Sequence, residues 1–263
     1  MWATQISCLN DHTEFRYSVG LVRDAVRPFL DSDNTTKRFL ANKILKGLED
    51  DAADRSQFFV FCVSENDDDL SQWRAYGGGE GGIAIGFYER RLHPNLEGMR
   101  KLVKVCYDRE DQDELVRKIV DKTFELFIKG LAQREWADHD QWADAFLDKW
   151  RDEIIFFAPM MKHHGFEKEG EWRLVYSVHQ SDVPRLKFRQ RQNLMSCHVP
   201  MHLGEKPLLP IKEVLIGPCR HKRVSWASAS RLLNMKGYPV NGMNETDPKK
   251  VTIRLTDVPF QNA

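Results

Sequence analysis

The chain has 263 residues, 41% hydrophobic and 11% aromatic, and its 39 Lys and Arg offset 39 Asp and Glu to a formal net charge of zero. That size and apolar share suit a globular protein with a substantial core. They exclude a disordered chain, and the charge balance excludes a global field that would by itself attract nucleic acid. No apolar run approaches bilayer-spanning length, and Met1-Trp2-Ala3-Thr4-Gln5 lacks the basic-then-apolar order of a secretory signal, so the sequence predicts a cytoplasmic protein with no membrane partner. The five cysteines, Cys8, Cys62, Cys106, Cys197 and Cys219, are odd in number and widely spread, which predicts reduced, mostly buried thiols.

Residues 2–11 read as a short strand ending in the turn-favouring pair Asn10-Asp11. Phe15, Val19, Val22, Val26 and Phe29 recur at helical spacing and predict a helix over 14–30, closed near Pro28. Asn34 and Thr35 cap a second helix, running to about residue 53 and burying Phe39, Leu40, Ile44, Leu45 and Leu48. The unbroken apolar run over 58–63 predicts a central strand covered on both faces.

That strand feeds into Ser64, then Asn66 to Asp69, which can cap a short helix carrying Trp73 and Tyr76 on one face. Five glycines in the six positions 77–82 follow, a stretch permissive enough to let backbone approach a ligand or another strand. They match neither the Walker pattern nor a dinucleotide fingerprint, because a strand over 83–87 follows instead of a helix. A strand over 101–107 and two strongly periodic helices, 111–131 and 136–161, come next, with Lys162-His163-His164 placed to meet a helix C-terminus.

Residues 165–176 then turn into an alternating run, with Trp172, Leu174, Tyr176 and Val178 on one face and Glu171, Arg173, Val175 and Ser177 on the other. Strand geometry puts Glu169 and Glu171 on the same side, about 7 Å apart. Two carboxylates that close repel, and burial raises at least one pKa unless a cation or hydroxyl compensates. The chemistry they suit is stabilisation of a cationic transition state by one, while the other orients or deprotonates a nucleophile. The alternative is a solvated acidic strand edge with Arg173 as a surface partner.

Arg185, Lys187, Arg189 and Arg191, with Phe188 among them, form a run able to hold single-stranded nucleic acid or a pyrophosphate, or else a solvated loop or edge strand. A buried strand over 213–218, a helix over 226–235 capped by Ser225 and stopped by Gly237, and a strand over 250–255 complete the chain. Cys197, His198, His202, Cys219 and His221 match no common zinc spacing, and Pro200 keeps His198 and His202 off one helical face, so no metal is expected. No repeat or linker divides this order. It predicts one α+β domain over 1–263, with mixed, antiparallel-looking strands and a helical insertion at about 110–165.

Three blocks together resemble a known family: Leu9-Asn10-Asp11 with Glu14; Ser64 to Phe87 with Trp73-Arg74-Ala75-Tyr76 and Ile83-Ala84-Ile85-Gly86-Phe87; and Phe166 with Glu169-Gly170-Glu171-Trp172-Arg173-Leu174. They look like a bacterial domain-of-unknown-function family characterised by such blocks, and Val214 to Pro218 resembles its closing strand. That family in turn looks related to the ADP-ribosyltransferase fold, a split sheet that clamps NAD+ and contains toxins and phage-defence effectors. The resemblance implies Glu171 as catalytic carboxylate, Glu169 completing a Glu-x-Glu element, and Ser64 supporting the glutamate, with Trp73 and Tyr76 lining the nicotinamide side. The family normally has a strand before the Leu-Asn-Asp block. Here Trp2, Asn10 and Arg74 would replace its NAD+ contacts, or the start is shortened.

The resulting expectation is an NAD+-dependent ADP-ribosyltransferase, an intracellular toxin or anti-phage effector acting on RNA, DNA or protein. Arg185, Lys187 and Arg189 would bind the acceptor, and an antitoxin or chaperone is a possible partner. The alternative from another class is a non-catalytic module that binds a nucleotide or partner, in which the glutamates merely pair with Arg173 and its neighbours.

Overall fold

The computed structural model describes residues 1–9, 13–48, 58–77, 81–92, 102–133, 139–178, 180–191, 194–201 and 208–259. In chain order the regular elements are β1 (Trp2–Gln5), α1 (Thr13–Val26), α2 (Thr35–Gly47), β2 (Phe58–Ser64), α3 (Leu70–Tyr76), β3 (Ile83–Phe87) and β4 (Val103–Lys104). Then follow α4 (Arg109–Leu131), α5 (His139–Phe157), β5 (Glu171–Ser177), β6 (Lys187–Arg191), β7 (Leu194–Pro200), β8 (Ile211–Ile216), α6 (Lys222–Met235) and β9 (Thr252–Leu255). The class is α+β, with antiparallel and mixed sheets. No described helix is long and apolar enough to cross a membrane. The chain divides into two compact units, one of residues 2–63 and 98–200, the other of residues 1, 64–97 and 201–263.

The larger unit holds a six-stranded sheet in the order β4-β5-β2-β1-β7-β6. Its core takes one stripe from each helix: Phe15, Val19, Val22 and Val26 of α1; Leu40, Ala41 and Ile44 of α2; Val116, Val120, Phe124 and Phe127 of α4; Ala143, Leu147 and Trp150 of α5. These stripes recur every three or four residues, which is what brings them onto Phe58, Val60 and Val175 of the sheet. Caps set the helix starts: the Asn34 side chain accepts from Lys37 N at 3.1 Å, and Asp108 accepts from Glu110 N at 2.8 Å and Asp111 N at 3.0 Å.

Two expectations shift here. The first helix ends at Val26, and Pro28 turns the chain into a 3₁₀ turn over Arg27–Asp31. The strand expected over 101–107 pairs with β5 only at Val103 and Lys104, after which Cys106 bridges to Met161. Of the alternatives for the basic run, the edge strand is the one found: β6 pairs antiparallel with β7, Lys187 opposite His198 and Arg189 opposite Ser196, at the edge of the sheet.

The smaller unit has a three-stranded sheet, β3-β8-β9, antiparallel between β3 and β8 and parallel between β8 and β9. Val214, Ile216, Val251 and Ile253 pack with Leu233 of α6. That helix starts at Lys222 with His221 as its N-cap residue, so Ser225 lies inside its first turn instead of capping it. Asp69 caps α3, accepting from Ser71 N at 2.8 Å. Trp73 donates its indole N–H to Asp68 Oδ1 at 2.7 Å, and Asp257 N donates to Asp68 Oδ2 at 3.2 Å, which ties α3 to the chain following β9. Burial alone would raise the Asp68 pKa, but bonds from Thr256, Trp73 and Asp257 outweigh it and hold the carboxyl below its ordinary value.

The Trp73 ring lies directly on Gly217, where an added Cβ would stand 2.7 Å from the indole. Gly217→Ala is therefore expected to destabilise the protein by about 1–3 kcal/mol, because the ring has to leave its packed position. Chemical denaturation checks this, and an unchanged midpoint would show that the ring moves freely.

Candidate functional site

Glu171 opens β5, and the chain reaches it through a 3₁₀ turn, His164–Glu169, closed by Gly170 at φ 51°. This left-handed glycine, not strand alternation, places Glu169 beside Glu171. The two carboxylates converge on Lys162, which bonds Glu169 Oε2 and lies 3.5 Å from Glu171 Oε2. Lys162 also reaches Glu14 Oε1 at 2.8 Å, and its ammonium sits 4.7 Å from the centre of the Phe166 ring. Rather than serving a helix C-terminus, Lys162 is buried beyond the end of α5, in a backbone pairing with Cys106.

Arg173, two residues along β5, is 2% exposed and so is an interior cation, not a surface partner. Its guanidinium bonds Glu171 Oε2 through both Nε, at 3.0 Å, and Nη2; Nη2 also reaches Glu14 Oε2 at 2.8 Å, and Nη1 donates to Pro159 O at 2.8 Å. Glu14 on α1 thus bridges the two cations with its two oxygens. Among the described residues Glu14, Glu169 and Glu171 thus meet two buried cations, Lys162 and Arg173, in a largely buried cluster.

Glu171 itself is asymmetric. Its Oε2 accepts from Arg173 and faces Lys162, while its Oε1 accepts no hydrogen bond among the described residues. Its backbone is held as well, with N donating to the Tyr107 hydroxyl at 3.0 Å and O accepting from Val105 N at 2.9 Å. The side chain is therefore fixed in place with one oxygen left over.

Burial works against the charge on Lys162, but its bonds to Glu14 and Glu169 and the field of Glu171 outweigh it and raise its pKa above the ordinary 10.5. Arg173 shows the same balance between burial and its anionic neighbours. Burial pushes the Cys62 thiol of β2 up to about 12, so it stays protonated at neutral pH and is not a nucleophile. Burial also raises Tyr107. Lys162, Cys62 and Tyr107 each bind a proton more tightly folded than unfolded. The stability they contribute is complete below their ordinary values and drains away as the pH climbs through the raised ones. Unfolding free energy is thus expected to begin falling above about pH 9, where Cys62 ionises in the unfolded chain, and to fall more steeply above pH 10.5, with Lys162 contributing up to about 1.4 kcal/mol per pH unit. Lys162→Met should flatten that alkaline slope in denaturant titrations.

The other expected site residues fall as follows. Ser64, Trp73, Arg74 and Tyr76 belong to the smaller unit. Ser64 Oγ accepts from Asn66 N at 3.0 Å, Trp73 is engaged with Asp68 and Gly217, and Arg74 and Tyr76 are exposed. Within the glycine stretch, Gly82 approaches the Gly77 backbone, with an added Cβ 2.9 Å from Gly77 Cα. Asn10 lies outside the described residues. In the larger unit Arg185 and Lys187 are exposed, whereas Arg189 stacks on Trp2 at 4.6 Å, joining a residue expected to touch the cofactor to one expected to touch the acceptor. Cys197 and His198 lie on β7 and Cys219 and His221 in the smaller unit, while His202 is outside the described residues.

Sequence reasoning gave Lys162, Tyr107 and Cys62 no part in the site and left Glu14 as an unexplained member of the first block. The available signal was arithmetic: two close glutamates with little access to water need cations, and Arg173 lies two residues from Glu171; Lys162 is farther along the chain than Lys168, so sequence distance did not point to it.

Searches among curated proteins and among solved structures find no match to the chain. Residues 72–174, which include Lys162, Glu169, Glu171 and Arg173, match the model of a family described as a protein of unknown function (DUF2971).

Proposed function

We propose that the chain is an NAD+-dependent ADP-ribosyltransferase in which Glu171 is the carboxylate beside the reacting ribose. The observation that carries this reading is the Glu171 side chain, locked through Oε2 and with no hydrogen bond to Oε1 among the described residues, within a largely buried cluster of carboxylates and cations. In the reaction the glycosidic C–N bond of NAD+ breaks and its electron pair goes to the nicotinamide nitrogen, which leaves neutral. Positive charge develops on the ribose, and a fixed anion in poorly solvated surroundings stabilises it as it forms. An oxygen or nitrogen nucleophile of the acceptor then bonds to the ribose carbon and releases its proton to a base. Glu169, held by Lys162, is assigned that role. The presence of two separate sheets, one of six strands and one of three, also agrees with the split sheet that the resemblance implies.

A second reading has its own support. Glu171 and Glu169 pair with Arg173 and Lys162 in the manner of an internal ion cluster, as a non-catalytic nucleotide- or partner-binding module would use them. Incubating the protein with cell lysate and NAD+ labelled in its adenylate half separates the two. Transfer predicts free nicotinamide and label that becomes soluble on nuclease or protease digestion, which also identifies the acceptor. A binding module raises the melting temperature with NAD+ but releases no nicotinamide. Growth arrest on expression, relieved by Glu171→Gln, is the further outcome expected of a toxin or anti-phage effector.

A further inference from the structure

The outer half of the six-stranded sheet carries an arrangement that takes no part in the charge stabilisation assigned to Glu171, although Trp2 was expected to touch the cofactor and Lys187 and Arg189 the acceptor. Pairing sets Trp2 opposite Pro200, Thr4 opposite His198, Lys187 opposite His198 and Arg189 opposite Ser196. Opposed residues share a face, as do alternate ones, so Trp2, Lys187, Arg189, Ser196 and His198 stand on one side of β1, β7 and β6. Ala3, Cys197 and Val199 take the other side and are buried.

Ser196 and His198 are 0% and 4% exposed, yet among the described residues Ser196 Oγ, His198 Nδ1 and the buried Nε of Arg189 have no hydrogen-bond partner. Burying unsatisfied polar atoms costs stability, and three of them on two neighbouring strands call for a group that would complete them. Lys187 and Arg189 form no ion pair among the described residues, so the face carries two uncompensated cations. Trp2, 50% exposed, completes the group: its ring lies 4.6 Å from the Arg189 guanidinium and 4.9 Å from the His198 ring.

We propose that this face binds a phosphate ester bearing a nucleobase, the phosphate taken by Ser196, Arg189 and His198 and the base by the Trp2 ring. A hydroxyl, a guanidinium and an imidazole N–H all donate, which suits the acceptor-only oxygens of a phosphate, and Lys187 adds charge beside them. Burial, then the charges of Arg189 and Lys187, lowers the His198 pKa, so the imidazole is neutral at pH 7 with one N–H to give. The half-exposed indole offers a π-face for stacking, which tolerates any base. Free nucleotides and single-stranded nucleic acid share this chemistry. The proposal does not depend on Glu171 being catalytic.

The test is to titrate the full chain with sodium phosphate, thymidine 5′-monophosphate and a thymidine decamer, following the His198 imidazole by NMR and affinity by calorimetry. Saturable His198 shifts are expected, with the nucleotide or decamer binding at least about tenfold tighter than phosphate because the base stacks. A decamer that binds more tightly than the monophosphate identifies nucleic acid; equal affinities identify a free nucleotide. Ser196→Ala is expected to weaken binding about tenfold while raising the unliganded melting temperature, since it removes a buried hydroxyl with no partner. Glu171→Gln should leave the titration unchanged, so this proposal and the transfer reading fail separately. Silence of His198 towards all three probes overturns the proposal, as does a Ser196→Ala variant that melts lower and binds equally well. Phosphate binding that the base does not strengthen overturns the nucleotide assignment.

Discussion

Arg173→Met is expected to destabilise the protein by about 3–5 kcal/mol, a large fraction of the stability of an ordinary domain. Met is of comparable bulk and apolar, so the loss is electrostatic more than steric. With Arg173 gone, Glu14 and Glu171 keep only Lys162 as a cationic partner among the described residues, and the Pro159 carbonyl loses its donor. The attraction within such a cluster barely offsets the cost of taking its charges out of water, but removing one partner leaves that cost uncompensated. Arg173→Lys should fall between wild type and Met, because an ammonium keeps the charge but cannot reach Glu14, Glu171 and Pro159 in the geometry of the planar fork. Adding Glu171→Gln to Arg173→Met should recover part of the loss, and denaturant midpoints of the four proteins form the cycle that measures this coupling. If Arg173→Met unfolds at the wild-type midpoint, the cluster contributes nothing to the fold.

Glu171→Gln is expected to lower nicotinamide release from NAD+ by about a hundredfold or more, the scale on which a fixed charge-stabilising group acts in a buried site. The amide keeps the shape of the side chain and can still accept from Arg173, so the fold should survive. What disappears is the negative charge at the open Oε1. Glu14→Gln is the control, for it removes the same unit of charge from the cluster but from a carboxylate whose two oxygens are both occupied by cations. Glu14→Gln should therefore reduce stability more than rate, and Glu171→Gln rate more than stability. Equal rates for wild type and Glu171→Gln at saturating NAD+ would remove Glu171 from the chemistry.

Much of the larger unit was legible because its signals are local. The spacing of Phe15, Val19, Val22 and Val26, the cap at Asn34 and the apolar run opening at Phe58 each act within one or two turns of chain. For the run after Lys187 the sequence offered an edge strand but could not choose it over a loop, because a strand at the sheet's edge need not alternate and its pairing partner supplies the register. The start of α6 was misplaced for a related reason. Ser225 is a good cap by residue type, but the chain had already entered the helix at Lys222.

The sequence by itself determined that Glu169 and Glu171 are close, since two residues of separation leave them little else, and that an alternating strand begins there; it left open whether that strand entrance is solvated or buried. What faces them was decided only by the tertiary structure. Lys162 arrives from the chain beyond α5, Glu14 from α1 and Tyr107 from the segment after β4. An ion pair carries no sequence periodicity, so its partners become visible only once the helices pack. Burial then makes these charges consequential, because a carboxylate that would be unremarkable in water becomes, among desolvated cations, a fixed charge whose every oxygen must be accounted for.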